Sequence, residues 1–379
     1  MRDSLFLAWR YTCYHRLTTV VLITAISLIT FLPAALQVIV ENGATHFRSR
    51  AAQTPLLLGS KGSSLDLVLS SLYFEQTEPD ILTMAQVERL EKQQLATVIP
   101  LHARFEAREA PIVGTTIDYF DLRQFELAAG RKWNILGECV VGANAAKRLG
   151  ISVGSKIPVS GENVFTLQDA PLRLHVVGVL APKEQPDDDA IFVNLKTAWL
   201  IEGVGHGHAT GAEHGSPQAA EYTDVTWENR IHFHFHGDES KYPVTGIIAV
   251  PKGPHRKKAE TLLLGQYFSP DETVQIVRPG EVMDAMLAKI LMVRSYLIAI
   301  VSVVSLVTLC TLALVVVLSI RLRRQEIATM TKMGCSRFMV ASVLSGQLVI
   351  ILAVSAAVAT ILTLITSAYG PELVRMLIL

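Results

Sequence analysis

Six of the eleven histidines in this chain fall within residues 203–236, at spacings suited to metal chemistry. His206, His208 and His214 lie in a glycine- and alanine-rich stretch, GHGHATGAEHG, beside Glu213. His232, His234 and His236 alternate with Ile231, Phe233 and Phe235. On a strand, residues two apart share a face, roughly 6.5 Å apart, so the alternation predicts three imidazoles on one side and an apolar side turned to a core. Two such histidines can reach one zinc ion at about 2.0–2.1 Å, and a flexible loop can bring a third ligand. Asp238 and Glu239 stand close enough in sequence to add oxygen. Neutral imidazole suits zinc, with copper and nickel also open. Such a site would pass a metal on, sense it, or hold a histidine-rich partner through a shared ion. The plainer alternative is a polar strand face that happens to be rich in histidine. His15, His46, His102, His175 and His255 are scattered and carry no such pattern.

Membrane signals dominate the chain around this cluster. Half of the 379 residues are hydrophobic and the mean hydropathy is +0.36. The excess is concentrated in three uncharged runs, 17–40, 297–320 and 338–369. Each exceeds the roughly 20 apolar residues that a helix needs to cross a bilayer. A signal peptide would have a core of about 7–15 apolar residues and a small-residue cleavage site. The first run is longer, and Pro33-Ala34-Ala35-Leu36 is a poor site, so an uncleaved span is expected. Residues 1–16 carry Arg2, Arg10, His15 and Arg16, with Leu5, Trp9, Thr12 and Cys13 on a loosely amphipathic face. That is the pattern of a short helix on the inner leaflet.

Between the second and third runs stands RLRRQEIATMTKMGCSR, residues 321–337. Arg321, Arg323, Arg324, Lys332 and Arg337 outweigh one acid, Glu326, and short basic loops beside spans are cytoplasmic. Ile327, Met330 and Met333 share one helix face, with Arg324 and Thr331 on the other. Gly334 is placed to end that helix and Ser336 to cap the next. The segment either anchors topology or docks a cytoplasmic partner.

The expected fold is an α-helical membrane protein with three transmembrane helices and a large α+β extracytoplasmic domain between the first and second spans. Its parts are a cytoplasmic amphipathic helix at 1–16, spans at 17–40 and 338–369, and the domain at 41–289, with a histidine-rich insertion at 203–240. A stalk and second span follow at 290–320, with the cytoplasmic helix at 321–337 and a tail at 370–379. About 250 residues suffice for one large or two small domains. Within them, 42–53 and 281–294 pattern as stalk helices that pack together, and 84–94 and 260–267 as helices. Residues 97–106, 110–119, 173–180, 190–195 and 243–250 pattern as strands. Residues 125–133, 138–149 and 151–159 pattern as strand–helix–strand, and Pro186-Asp187-Asp188-Asp189 as an acidic turn. Cys139 is alone in this region, so it has no internal disulfide. In the third span, Ser342, Ser345, Gly346, Ser355, Ala356 and Ala357 present small surfaces, suited to a dimer interface or simply common in spans.

Several chemistries have no residues to carry them. There is no GxxxxGK[ST] loop, and Gly59-Ser60-Lys61-Gly62-Ser63-Ser64 has the wrong spacing for one. There is no nucleophile elbow and no His-Glu-x-x-His. The spans hold no internal carboxylate or lysine of the kind that marks an ion path. A net charge of zero gives nucleic acid no footprint. The chain is therefore expected not to be an enzyme, with any ATP hydrolysed by another subunit.

The basic cluster, Glu326-Ile327 and Met333-Gly334-Cys335-Ser336, leading into a small-residue-rich span, resemble the permease family of the FtsX and macrolide-exporter (MacB-like) type. The middle of the chain is similar to that family's periplasmic core domain. The matching pieces are Val113-Gly114 before Asp118-Tyr119, Ala129-Gly130-Arg131, Val140-Val141-Gly142, Leu149-Gly150, Gly154, Val177-Gly178-Val179 and Asp189-Ala190-Ile191-Phe192. The resemblance implies a multi-pass permease of the bacterial inner membrane, with its N-terminus cytoplasmic and residues 41–289 periplasmic. It implies that Arg323, Arg324, Glu326, Ile327, Met333, Gly334 and Ser336 couple to a cytoplasmic ABC ATPase, which alone binds ATP. A second permease copy or a homologue would complete the pore among the membrane lipids. The family resembles a four-span plan; three runs here mean a three-span variant or a shortened chain. The histidines suggest zinc handling with a periplasmic metal-binding protein. Cargo-free mechanotransmission to an extracytoplasmic enzyme, and export of lipoprotein, lipid or a small molecule, are the alternatives.

Overall fold

The computed structural model describes residues 2–14, 16–75, 80–159, 172–207, 223–225, 233–235, 237–322, 328–329, 332 and 337–378. Two compact units emerge, Met1–His46 with Leu287–Leu379, and Phe47–Met286.

Helices α1 (Arg2–Tyr14) and α2 (Arg16–Ala52) open the chain. Strand β1 (Leu56–Ser60), helix α3 (Ser64–Leu72), strand β2 (Leu82–Thr83) and helix α4 (Met84–Lys92) follow. Next come strands β3 (Ala96–Ala107) and β4 (Ala110–Thr115), helix α5 (Ile117–Arg123), and strands β5 (Leu127–Gly130) and β6 (Glu138–Val141). Helix α6 (Ala143–Leu149), strands β7 (Lys156–Pro158), β8 (Leu172–Leu180) and β9 (Ile191–Asn194), and helix α7 (Leu195–Glu202) continue the domain. Strands β10 (Gly205–Gly207), β11 (Thr223–Asp224), β12 (Phe233–Phe235), β13 (Pro243–Val244) and β14 (Gly246–Pro251) come next. Helix α8 (Arg256–Gln266), strand β15 (Val274–Val277), and helices α9 (Pro279–Leu322) and α10 (Arg337–Ile378) complete the described elements.

The main sheet of the Phe47–Met286 unit runs β11-β8-β6-β9-β4-β3-β14-β1-β15, with β5 and β7 also pairing to β8. Leu56, Leu57 and Leu58 of β1 are fully buried, because β1 lies inside the sheet with core on both faces. Leu57 belongs to one core with α3 and α5, Leu56 and Leu58 to another with α4 and α8. A strand covered on both sides loses its alternation, which is why this one shows no period of two. Local signals set the helix starts: Ser63 accepts from the Asp66 amide at 3.2 Å, and Asn194 from that of Lys196 at 2.9 Å.

Two boundaries differ from the sequence expectation. Residues 110–119 are not one strand: β4 stops at Thr115, and α5 begins at Ile117, burying Tyr119, Phe120 and Arg123. Residues 138–149 are a strand followed by a helix, hinged at Gly142.

In the other unit, Arg16–Ile39 of α2 and Ser345–Tyr369 of α10 are long and apolar enough to cross a membrane, and their most apolar stretches are mostly unburied. A core helix of a soluble fold would be mostly buried, whereas here Leu17, Val20, Leu28, Ile361 and Leu364 are exposed. In α9, Ile298–Thr311 is a shorter apolar stretch among the described residues. The small-residue stripe of α10 is partly used within the chain. Ser355 is fully buried; its carbonyl accepts from Ser27 Oγ at 3.1 Å, and its hydroxyl donates to the Ile23 carbonyl at 3.4 Å. Ser355 therefore packs against α2 and is not a free dimer surface. Helix α10 also runs through Gly370 and Pro371 to Ile378 rather than ending at Tyr369.

Candidate functional site

Helix α2 ends in the core of the Phe47–Met286 unit, where Arg50, Ala51 and, just past the helix, Thr54 are all at most 2% exposed. A buried arginine is costly unless its donors are met. Arg50 Nε donates to the Leu72 carbonyl and Nη1 to Asp187 Oδ2. Its Nη2 donates to Asp187 Oδ1 and to Tyr119 Oη, both at 3.0 Å, and the tyrosine hydroxyl donates to Asp187 Oδ1 at 2.9 Å. The guanidinium also lies 5.2 Å from the Phe74 ring centroid. Burial alone would lower the arginine's pKa, but the charges of Asp187 and Tyr119 raise it overall, so the cation is secure. Burial pushes the Tyr119 hydroxyl up, and it pushes Tyr73 up to about 12 against the pull of Arg50.

The acid is delivered by a 3-10 turn, Pro186–Asp189, held from both sides. Asp188 accepts the amides of Lys183 at 2.9 Å and Glu184 at 2.7 Å. Burial raises the Asp188 pKa, opposed by those amides. On the other side the turn presses on Gly142, where a Cβ would lie 2.3 Å from the Asp187 carbonyl oxygen, so only glycine fits. Arg123 Nη2 donates to Thr54 Oγ1 at 2.9 Å and its guanidinium lies 5.4 Å from the Tyr119 ring centroid.

Helix α9 begins at the same place. Its Met283 is fully buried in the core that contains Ala51, and Asp284 pairs with Arg48 at 2.6 Å. The pair is about half exposed and contributes little by itself. The methionine does the packing, so the roots of the two stalk helices are seated side by side.

The histidine ribbon is placed in part. Strands β10 and β12 pair antiparallel with His206 directly opposite His234. Residues so opposed share a face of the ribbon. The glycine-rich stretch thus begins as a strand, not a loop. Phe235 turns to the core, with ring centroids 6.2 Å from Trp199 and 6.1 Å from Tyr242. His208, Glu213, His214, His232 and His236 lie outside the described residues. Asp238 is committed elsewhere, accepting from the Ser240 amide at 3.1 Å to cap a 3-10 turn, and Glu239 faces Lys196 at 3.7 Å. Among the described residues no three ligand-type side chains are grouped as a metal would need. The expected coupling residues Arg323, Arg324, Glu326, Ile327, Met333, Gly334 and Ser336 also lie outside the described residues.

Sequence reasoning missed Arg50, Tyr119 and Asp187. Arg50 sits in HFRSRAA, which looks like any solvated stalk, and PDDD looks like a surface turn. The available signal was the apolar flanking of that turn, with strands on both sides. It also passed over His102, which is fully buried with Nε2 3.1 Å from Glu202 Oε2.

A family model, the MacB-like periplasmic core domain, matches residues 19–223, more than half of the chain. Among solved structures, the periplasmic region of MacB from Actinobacillus actinomycetemcomitans is similar at 12% identity, with a TM-score of 0.37, covering 62% of this chain and 93% of that one. The extracellular domain of the noncanonic ABC-type transporter YknZ from Gram-positive bacteria is similar at 12% identity, with a TM-score of 0.34, covering 59% and 98%. Comparison with curated proteins gives no match. The family match itself runs from the first apolar helix through the sheet to β11, and takes in Arg50, Tyr119, Gly142 and Asp187. The chain belongs to the MacB-like periplasmic core domain family, that of the MacB- and FtsX-like ABC transporter permeases.

Proposed function

We propose that this permease carries ATP-driven motion mechanically from a cytoplasmic ATPase to its periplasmic domain, and that the Arg50 seat is where the first span hands that motion over. Permeases of this family work with a cytoplasmic ABC ATPase and sit in the inner membrane with a periplasmic domain. One observation carries the reading. Helix α2, 37 residues and roughly 55 Å long at ~1.5 Å per residue, ends in a buried and fully partnered ion pair. A helix pinned at its tip can pass displacement on, although Pro33 inside α2 leaves a point of bending; a helix ending in a solvated loop would dissipate it. In this reading residues 321–337 receive the ATPase's stroke, with Glu326 and the Gly334 joint at its centre, and ATP binds only to the partner.

The test replaces the pin with apolar volume. In full-length permease reconstituted with its ATPase, Arg50→Met combined with Asp187→Leu should keep ATPase docking. It should also abolish the ATP-dependent distance change between spin labels on the ectodomain. A pair variant that moves like wild type would show that the seat does not transmit.

A narrower second reading rests on the register of His206 and His234. Two histidines at directly opposed ribbon positions are a start on a zinc site, with a periplasmic metal-binding protein as the supplier. The further ligands would come from His208, His214, His232 and His236. Signalling to an extracytoplasmic enzyme and export of an organic cargo use the same mechanical route without the ion.

A further inference from the structure

We propose that Arg123 is a second claimant to Asp187, which makes the Arg50 seat a catch with two positions rather than a fixed joint. The proposal rests on the reading that the first span moves, and adds what the acid does when Arg50 leaves it. Arg50 has partners on all three of its nitrogens. Arg123 does not. It is 4% exposed, and Nη2 alone has a hydrogen-bond partner, Thr54 Oγ1 at 2.9 Å. Its Nε and Nη1 are buried with no hydrogen bond among the described residues. A guanidinium buried with donors unmet is costly, so this side chain is poorly provided for in the state observed. Asp188 does not supply the missing acceptor, because its carboxylate is taken by the amides of Lys183 and Glu184.

All of these groups belong to the Phe47–Met286 unit, and they divide into two parts. Arg50 and Thr54 come from the end of α2 and the residues just past it. Tyr119 and Arg123 lie one turn apart on α5, and Asp187 is on the Pro186–Asp189 turn. Helix α5 and that turn are tied to each other without α2. Lys183 Nζ donates to the Arg123 carbonyl at 3.0 Å and to that of Gln124, and its amide donates to Asp188 at 2.9 Å. Tyr119 Oη donates to Asp187 Oδ1 at 2.9 Å. Withdrawal of α2 therefore takes Arg50 from Asp187 and Thr54 from Arg123 in one movement. It leaves a bare cation and a bare anion on the same part, both beside Tyr119. The Arg123 guanidinium lies 5.4 Å from the centroid of that ring, whose hydroxyl already holds the acid. A slide along the ring joins Arg123 to Asp187 and gives its unmet donors a carboxylate, the strong partner of a guanidinium. Release then no longer strands a buried charge, the outcome that makes breaking one side of such a pair so unfavourable. One acid with two alternative cations is a bistable element of the kind a switching joint needs.

The test is a change of sign. Arg123→Met is made in the wild-type chain and in Arg50→Met, and urea midpoints of full-length protein in detergent are read from tryptophan fluorescence, with Trp133 and Trp199 buried in this unit. In the wild-type chain the variant removes two unmet donors and keeps apolar volume, so the midpoint should stay or rise. In Arg50→Met it removes the cation that has taken over the acid, so the midpoint should fall to about the level of Asp187→Ala. A side chain with a merely structural role would shift both backgrounds alike. A lowered midpoint in the wild-type chain overturns the proposal by itself, and so does the absence of a fall in Arg50→Met. Arg50→Lys, whose ammonium cannot span both carboxylate oxygens, supplies the second background if the methionine variant does not fold. No ATPase or nucleotide is present, so the result is independent of the spin-label experiment. A sign reversal without ATP-driven movement would sink the transmission reading alone, and movement without the reversal would sink the exchange alone.

Discussion

The Arg50–Asp187 seat and the His102–Glu202 corner both bury a base beside an acid in the same domain, yet they are built differently. At the seat, the guanidinium spans both carboxylate oxygens, a tyrosine hydroxyl closes the triangle, and a backbone carbonyl takes the remaining edge. At the corner, His102 Nε2 and Glu202 Oε2 are 3.1 Å apart, but neither ring nitrogen has a well-directed hydrogen bond among the described residues. Glu202 is instead held by Arg104 at 3.1 Å. The seat is a directed joint between elements far apart in sequence. The corner is two groups brought together by the packing of α7 against the sheet, and only the joint should resist being taken apart one side at a time.

The largest effect follows at the seat. Asp187→Ala leaves a buried guanidinium unpaired, which typically costs about 3–5 kcal/mol. Replacing both partners with apolar groups of similar volume is near neutral in such pairs, so Arg50→Met with Asp187→Leu should recover most of the loss. Urea denaturation of the full chain in detergent, followed by tryptophan fluorescence, measures both. A loss below about 1 kcal/mol for Asp187→Ala would remove the distinction between the two clusters.

A cluster of intermediate build sharpens the comparison. Glu138, nearly buried, accepts from Arg131 Nη1 at 2.8 Å and from the Asn134 amide at 2.7 Å. Burial by itself would raise its pKa, but Arg131 and the backbone amides hold it below the ordinary carboxylate value. The unfolded chain then binds the proton more tightly than the folded one. The stabilisation is complete above the unfolded value near 4.3 and is lost as pH falls through the lower folded value. Glu138→Gln should cost about 1–3 kcal/mol at pH 7, and the gap from wild type should narrow below about pH 4.5. Denaturation at pH 7 and at progressively lower pH gives both numbers; a gap that persists undiminished in acid would mean that packing, not charge, holds this site.

How much of this was visible in the sequence depends on whether the cause was local. Alternation in 97–106 and 173–180 marks β3 and β8, because the pleat acts over a few residues. The apolar runs mark α2 and α10 for the same reason. Strand β1 was hidden because both its faces are covered. Asp187 was hidden because what makes it buried is Arg50, 137 positions away, and Tyr119, 68 away. Gly142 appeared only as part of a resemblance; its cause is the close approach of a turn some 45 residues on. The ribbon shows both sides: alternation in 232–236 gives the strand, while its pairing with 205–207 is a long-range contact with no local mark.

The smallest effect is expected at the corner. His102→Phe keeps an aromatic ring of similar size beside Phe105, whose centroid lies 5.8 Å from the imidazole. It removes two nitrogens that make no directed bond among the described residues, and Glu202 keeps Arg104 as its partner. Volume-conserving exchanges in a core usually cost less than about 1.5 kcal/mol. A hydrogen bond to a charged group would add about 1.5–3 kcal/mol to that loss. The same denaturation assay separates the cases. A cost under about 1.5 kcal/mol leaves the corner as packing. A cost approaching that of Asp187→Ala would show that His102 and Glu202 form a directed bond, and the corner would then be a joint like the Arg50 seat rather than packing alone.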